Sequence, residues 1–91
     1  DPWARWSAQP VVGPPGVVFE LTQPARVTLD IFDPRGRRVR RVLERDLAAG
    51  VCREVWDRRD DAARPVRPGV YFYRLRAGSR EATGRLVLLG R

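Results

Sequence analysis

Apolar and polar residues alternate with a period of two in several separate segments of the chain. Residues 17–21 have an apolar side chain at every second position, and after a break at Gln23-Pro24 residues 27–31 show the same alternation. Successive side chains of a β-strand point to opposite faces of its sheet. Each of these segments therefore predicts a half-buried strand.

A turn sequence joins the second segment to a stretch whose pattern fits either a helix or a strand. Asp33-Pro34-Arg35-Gly36 has Pro where its fixed φ suits a turn and Gly at the exit, so it predicts a hairpin. Residues 37–47 would fit an amphipathic helix with a basic face, because apolar side chains recur at helical spacing at Val39, Val42, Leu43 and Leu47. The stretch follows the turn directly and has no N-cap, so we favour a strand followed by a loop.

Further strands are predicted in the second half of the chain. The strand at residues 51–56 has two alternative registers, with either Val51 and Val55 or Cys52 and Trp56 pointing inward, and the size of Trp56 favours the second. A polar loop at residues 57–68 leads to the strongest strand, at residues 70–75, and a turn then leads to the last strand. Short strands separated by turn signals predict an all-β antiparallel sandwich.

The first fifteen residues differ from the rest in composition. They hold four of the eight Pro residues and two of the three Trp residues, Trp3 and Trp6. Proline at this density disfavours a helix, so we predict a Pro/Trp-rich linker with an edge strand at residues 1–15 and one domain at residues 16–91. The chain begins with Asp1-Pro2 and no leader-like segment, and we expect it to be a piece of a longer protein.

Arginine accounts for the whole positive charge. The 91 residues include 18 Arg, no Lys or His and 11 acidic residues, which gives a net charge of +7. Arg, Ala, Gly and Pro have GC-rich codons, and the rare or absent Lys, Asn, Ile and Met have AT-rich ones. A GC-rich genome therefore explains the arginine excess more simply than a polyanionic partner does. Nucleic-acid binding is the second interpretation of the charge, and we do not expect nucleic acid as a partner.

The groups that enzymes and metal sites need are largely missing from the sequence. There is no His, and Cys52 is the single Cys, so neither an internal disulfide nor a Cys/His metal set can form. No nucleophile is paired with an activating base. We predict a non-enzymatic protein with no catalytic residue, no cofactor and no metal ligand. No apolar run approaches the roughly 20 residues of a transmembrane helix, so we also predict no membrane span.

Three neighbouring carboxylates, Asp57, Asp60 and Asp61, invite a calcium interpretation. Ca²⁺ takes about six to eight oxygen ligands, and these side chains could supply some of them. The alternative is that Asp57 and Asp60 accept backbone N–H bonds in local turns. We favour the turns, because the Asx-x-Asx-x-Asx-Gly spacing of a calcium loop is absent and Arg58, Arg59 and Arg64 supply counter-charge.

The densest basic stretch, residues 36–45, contains five Arg. Such a run could bind phosphates, or it could be the solvated face of a strand with charges that protect an edge. Proteins that bind single strands expose aromatic side chains among basic ones. Here the aromatic run Tyr71-Phe72-Tyr73 falls in a strand that looks mostly buried, so we favour the solvated face.

Four large side chains are predicted to belong to the core: Trp56, Tyr71, Tyr73 and Leu75. Tyr71 or Tyr73 can donate its hydroxyl to a backbone carbonyl, as in a tyrosine corner. A carbohydrate-stacking platform made by Trp56 and exposed tyrosines is the alternative.

Several segments, in order, resemble one known family. Residues 27–39, VTLDIFDPRGRRV, resemble the hairpin VxLxVYDxxGRxV of the Ig-like domain first known in the flagellar hook-capping protein FlgD. The likeness covers about residues 9–89 and continues at further segments, with the family pattern in parentheses: Pro10 and Gly13 (NPxxG), Leu47-Ala48-Ala49-Gly50 (LPAG), Val55-Trp56-Asp57 with Arg59-Asp60 (WDGRD), residues 69–75, and residues 83–89 (TxKLVLL). These segments are also similar to the C-terminal domains that the type IX secretion system reads as export tags.

The resemblance implies an Ig-like (fibronectin III-like) β-sandwich of about seven strands. It also implies a non-catalytic accessory module of a secreted or cell-surface bacterial protein, serving export or sorting, anchoring or docking. The expected partners are upstream domains of the parent protein and secretion or cell-envelope machinery, and the expected location is extracellular or the cell surface. A flagellar hook-assembly module and a basic module that binds polyanions or carbohydrate are the alternatives.

Three positions depart from the family pattern. Arg58 replaces the glycine after "WD", Ala63 replaces the glycine between the Asp-rich turns, and Arg45 replaces a loop glycine before the "LPAG" segment. If those turns need a positive φ, Arg and Ala strain each of them by about 1 kcal/mol or more.

Overall fold

Two antiparallel sheets in a sandwich-like arrangement make up the described part of the chain. The computed structural model describes residues 3–9, by their backbone alone, and residues 15–90. The strands are β1 (Trp3–Gln9), β2 (Gly16–Leu21), β3 (Ala25–Phe32), β4 (Arg38–Leu47), β5 (Gly50–Val55), β6 (Gly69–Ala77) and β7 (Arg80–Leu88). One sheet has the order β1-β2-β5 and the other the order β4-β3-β6-β7. The prediction of an all-β antiparallel protein is confirmed.

The core lies between the sheets and takes the inward side chains of both. On β2 and β3 these are the residues that the alternation predicted, namely Val17, Phe19, Leu21, Val27, Leu29 and Ile31, each at most 2% exposed. Leu75, Leu86 and Leu88 are among the buried residues that β6 and β7 add to this layer. The period-two pattern therefore identified the buried face of β2 and β3 correctly.

Strand β4 corrects the prediction for residues 37–47. It runs without interruption from Arg38 to Leu47, so the expected loop at its end is absent. Its pairing with β3 shifts at two places, between Leu29 and Asp30 and between Ile31 and Phe32, and each shift leaves one extra β4 residue, Val42 and Val39 respectively. Both valines pack against the core. These irregularities produce the helix-like spacing of apolar residues within a strand.

The register of β5 follows the second of the two predicted alternatives. Cys52 is half-buried on the inner face, whereas Val51 and Val55 are 74% and 49% exposed. Trp56 lies just after the strand and is 2% exposed. Its backbone N–H donates to the Pro15 carbonyl at 2.9 Å, which holds the exit of β5 beside the entry of β2.

Strand β6 is buried on one face only, so the expectation that its aromatic run is mostly buried holds for two of the three residues. Tyr71 and Tyr73 are 8% and 4% exposed, but Phe72 between them points to the other face and is 40% exposed. On the inner face Tyr73 crosses its partner Gly84, where a Cβ atom would lie 2.6 Å from the Tyr73 Cζ. No residue larger than glycine fits at position 84 without moving that ring.

Strand β1 lies in the segment predicted to be a linker with an edge strand. It pairs antiparallel with β2, from Trp3 opposite Leu21 to Gln9 opposite Gly16, and it forms one edge of its sheet. The Trp3 and Trp6 side chains, Pro10 and Gly13 lie outside what is described. Among the described residues no helix is long and apolar enough to cross a membrane.

Candidate functional site

The three carboxylates singled out from the sequence do not converge on one point. The Asp57 Oδ1 accepts the Arg59 N–H at 3.0 Å, and the Asp60 Oδ1 accepts the N–H groups of Ala62 and Arg64, both at 2.9 Å. These bonds confirm the predicted turns. Asp61 instead faces β4, where its Oδ1 accepts the Arg41 N–H at 2.9 Å. The described residues contain no group of three or more Cys, Asp or Glu side chains placed to hold a metal ion.

Backbone hydrogen bonds lower the pKa of Asp60. The largest effect is the N–H of Arg64; burial, the second largest, opposes it, and the N–H of Ala62 and the charges of Arg64 and Arg40 lower the pKa further. The anionic form of Asp60 is therefore the one that closes the loop. Its role is to shape the chain at residues 57–66, where the Val66 N–H also donates to the Arg58 carbonyl at 3.0 Å.

Two residues of this loop adopt the left-handed conformation that favours glycine. Arg58 has φ +65° and Ala63 has φ +64°, and no other non-glycine residue of the described segments has a positive φ. They are two of the three positions at which the pattern that the sequence resembles has glycine. Arg45, the third, lies within β4 opposite Val27 and has no positive φ, so the condition for strain is not met at that position.

The basic stretch at residues 36–45 is largely neutralised by nearby acids. Arg38 contacts Asp61 at 3.3 Å, Arg40 contacts Asp57 at 3.7 Å, and Arg41 contacts Glu44 at 3.3 Å. The first two pairs tie the loop to β4, where the Arg40 guanidinium also donates to the Asp60 carbonyl at 3.0 Å. Pairing with acids leaves the stretch a weaker phosphate-binding surface than its five arginines suggest.

A buried carboxylate lies on the outer face of the four-stranded sheet. Asp30 is 1% exposed, and its two oxygens accept the Arg41 Nε at 2.8 Å and the Arg41 Nη2 at 3.2 Å. The Arg74 Nη2 lies 3.8 Å from the same carboxylate. The hydrogen bond and the charge of Asp30 raise the pKa of Arg41 above its ordinary value. Two guanidinium groups thus cover one carboxylate and remove it from water.

Next to Asp30, the outer face carries two phenylalanines side by side. Phe32 of β3 is the cross-strand partner of Phe72 of β6, and Phe72 is in turn opposite Arg85 of β7. The Arg74 guanidinium carbon lies 4.9 Å from the centre of the Phe32 ring, a cation–π contact. With Thr83 these residues line an open depression of about 780 Å³ beside the Asp33-Pro34-Arg35-Gly36 turn. We call the surface of Phe32, Phe72, Arg74, Thr83 and Arg85 the phenylalanine face.

The predicted core aromatics lie in the core and are satisfied there. The Trp56 Nε1 donates to the Arg59 carbonyl at 2.8 Å, and its ring packs edge-on against Tyr71 at 5.3 Å. The Tyr71 hydroxyl donates to the Arg67 carbonyl at 2.7 Å, the bond expected of a tyrosine corner. Burial of Trp56, Tyr71 and Tyr73 leaves no stacking platform of the kind considered for carbohydrate.

The single thiol has the properties of a structural residue. Cys52 is half-buried, and burial together with the charge of Glu54 raises its pKa, so the thiolate is disfavoured.

Comparison with protein-family models and with curated proteins gives no match. Sequence reasoning missed the phenylalanine face, although the register of β3 and β6 contains the signal. Phe32 and Phe72 both occupy positions on the outer face of the sheet, where the alternation of β3 and β6 otherwise places polar residues.

Proposed function

We propose that this chain is a non-catalytic Ig-like accessory module of an exported bacterial protein, serving delivery, anchoring or docking of its parent. The proposal starts from the ordered resemblance of residues 9–89 to the FlgD-type Ig-like domain and the type IX export domains. Under this proposal the module acts through its surface and its strand edges, because packed side chains fill the interior.

The observation that carries the proposal is the backbone at positions 58 and 63. The family pattern has glycine at both positions, and here Arg58 and Ala63 adopt φ +65° and +64°. The left-handed backbone conformation is strained for Arg and Ala but not for Gly. A loop that keeps this conformation without its glycines supports descent from a glycine-containing loop of the family's shape.

The Tyr71 hydroxyl bond supports the Ig-like part of the proposal. A tyrosine that binds a backbone carbonyl a few residues upstream recurs in Ig-like sandwiches, and Tyr71 binds the carbonyl of Arg67, four residues before it. The Trp56 ring packs edge-on against this tyrosine, with the ring centres 5.3 Å apart.

The test is to remove residues 16–91 from the parent protein and to measure the amount of parent in the cytoplasm, envelope and medium. In a matched chimera an unrelated β-sandwich of similar length replaces the same residues. We expect both proteins to be retained in the cell while their remaining domains stay folded. Normal export of either protein would mean that the module is a passive spacer and that the proposal is wrong.

A further inference from the structure

We propose that the phenylalanine face binds single-stranded nucleic acid, with one base stacked on Phe72, a neighbouring base on the Arg74 guanidinium, and backbone phosphate held by Arg85. This inference does not depend on the proposed export role, and either can fail without the other. It departs from the expectation of no nucleic-acid partner, which relied on the aromatic run of β6 being mostly buried, because Phe72 is 40% exposed.

The geometry provides flat stacking surfaces on adjacent central strands. In the order β4-β3-β6-β7, Phe32 and Phe72 lie on the two inner strands and face each other across one cross-strand pair. Arg74 lies over the Phe32 ring, so its guanidinium offers a second planar surface next to Phe72. Unpaired bases stack both on aromatic rings and on guanidinium planes.

The charges around the depression favour an anion. Arg85 is exposed, and no acidic side chain among the described residues pairs with it. The acids at the rim are engaged: Glu81 binds the Arg76 Nε at 2.8 Å, and the Asp33 Oδ1 accepts the N–H groups of Arg35 and Arg37. The charge that remains unpaired at the rim is therefore the cationic Arg85.

The shape of the surface selects an unpaired strand over a duplex. The depression is open and lies on a face of the four-stranded sheet, not on an α-helix or a two-stranded β-ribbon, which are the elements that a major groove admits. A base can reach Phe72 only if it is not already stacked within a duplex. The expected binding is tolerant of sequence, because every base has a face that can stack.

The experiment measures fluorescence anisotropy of a labelled oligothymidine of about ten nucleotides, a length within the usual site sizes, titrated with the chain at several salt concentrations. We expect Phe72→Leu, which keeps an apolar side chain but loses the ring, to weaken binding about 5- to 150-fold. We expect Arg85→Ala to weaken binding and to reduce the slope of log affinity against log salt by about 0.7. The matched control is Arg53→Ala, which removes an exposed arginine from β5 in the other sheet and makes the same change in net charge.

The proposal is supported if Phe72→Leu and Arg85→Ala weaken binding while Arg53→Ala has less than about a twofold effect, as expected of a charge outside the site. Equal losses for Arg85→Ala and Arg53→Ala would show attraction by net charge alone and overturn it. So would undetectable binding at low salt, or unchanged binding by Phe72→Leu with a circular dichroism spectrum like that of the original chain. A second titration uses a sulfated polysaccharide. If Phe72→Leu weakens that binding and leaves oligothymidine binding unchanged, the face binds glycans and the nucleic-acid proposal is wrong.

Discussion

Asp30 shows how a single residue decides the character of a sheet face. Its carboxylate lies on the outer side of β3, where solvent would ordinarily cover it, yet it is 1% exposed because Arg41 and Arg74 close over it. The raised pKa of Arg41 means that the stabilisation from this guanidinium is present throughout the ordinary pH range and would be lost only as the pH rises through that raised pKa. Arg74, the second of these arginines, also places its guanidinium against Phe32.

The first prediction is that Asp30→Asn lowers the free energy of unfolding by about 2–3 kcal/mol. The substitution keeps the shape of the side chain and removes its charge, which weakens two charge-assisted hydrogen bonds and leaves two arginines facing a neutral group. Urea denaturation measures the loss. The matched control is Glu81→Gln, which breaks a pair of the same 2.8 Å length whose side chains are 50% and 47% exposed. That pair should contribute at most about 1 kcal/mol, and equal losses for both variants would contradict this account of Asp30.

The second prediction concerns Tyr71. Tyr71→Phe removes the 2.7 Å bond to the Arg67 carbonyl and should lower the free energy of unfolding by about 1–2 kcal/mol at neutral pH. Burial, and then the charge of Asp33, raise the pKa of Tyr71. The contribution of the neutral hydroxyl is therefore full below about pH 10 and is lost as the pH rises through the raised pKa. Urea midpoints measured between neutral and alkaline pH should fall less steeply for Tyr71→Phe, and identical alkaline slopes would be evidence against this assignment.

Among the elements, the loop at residues 57–66 combines tight hydrogen bonding with backbone strain. Asp60 accepts two backbone N–H groups, and the isolated bridge between Arg59 and Pro65 closes the loop. Within this frame Ala63 is held at φ +64°, and its carbonyl accepts the Arg59 Nη1 at 3.0 Å. The loop therefore tolerates a strained residue because its neighbours fix the conformation.

The third prediction is that Ala63→Gly raises the free energy of unfolding by about 0.5–1 kcal/mol. Glycine relieves a left-handed strain of about 1–2 kcal/mol in the folded state. Its greater conformational freedom stabilises the unfolded chain and offsets part of this gain in the free energy of unfolding. The neighbouring Ala62→Gly is the control, since Ala62 has no positive φ and should lose about 0.5–1 kcal/mol. Thermal and urea melts of both variants measure the difference, and a loss of stability for Ala63→Gly would contradict the strain.

The strands differ in how far the sequence predicted them, and β4 shows why. In β2 and β3 the alternation is regular, and it identified the buried face correctly. In β4 the two extra residues, Val39 and Val42, change the phase of the alternation, and a period that changes within one strand looks like a helix. The pairing partner that absorbs each extra residue lies on β3, so nothing local to residues 37–47 reveals it.

For the whole molecule, the sequence predicted the inner face of the sandwich better than the outer one. The apolar alternation along a strand identifies core residues, and Trp56, Tyr71 and Leu75 were predicted in this way and are buried. The phenylalanine face depends on cross-strand neighbours, since Phe32 and Phe72 are forty positions apart in the chain and meet only when β3 pairs with β6. Similarly, the arginine excess predicted a net charge but not which guanidinium groups remain unpaired.

The central claim is that the four-stranded sheet has an inner face that holds the fold and an outer aromatic face left for a partner. Adjacent residues of β6 test it, because Tyr73 is 4% exposed and Phe72 is 40% exposed. The measurement is the free energy of unfolding of Tyr73→Ala and Phe72→Ala by urea denaturation. We expect Tyr73→Ala to lose about 3–5 kcal/mol and Phe72→Ala to lose about 1 kcal/mol or less. Similar losses for the two variants, or a larger loss for Phe72→Ala, would contradict the assignment of the two faces.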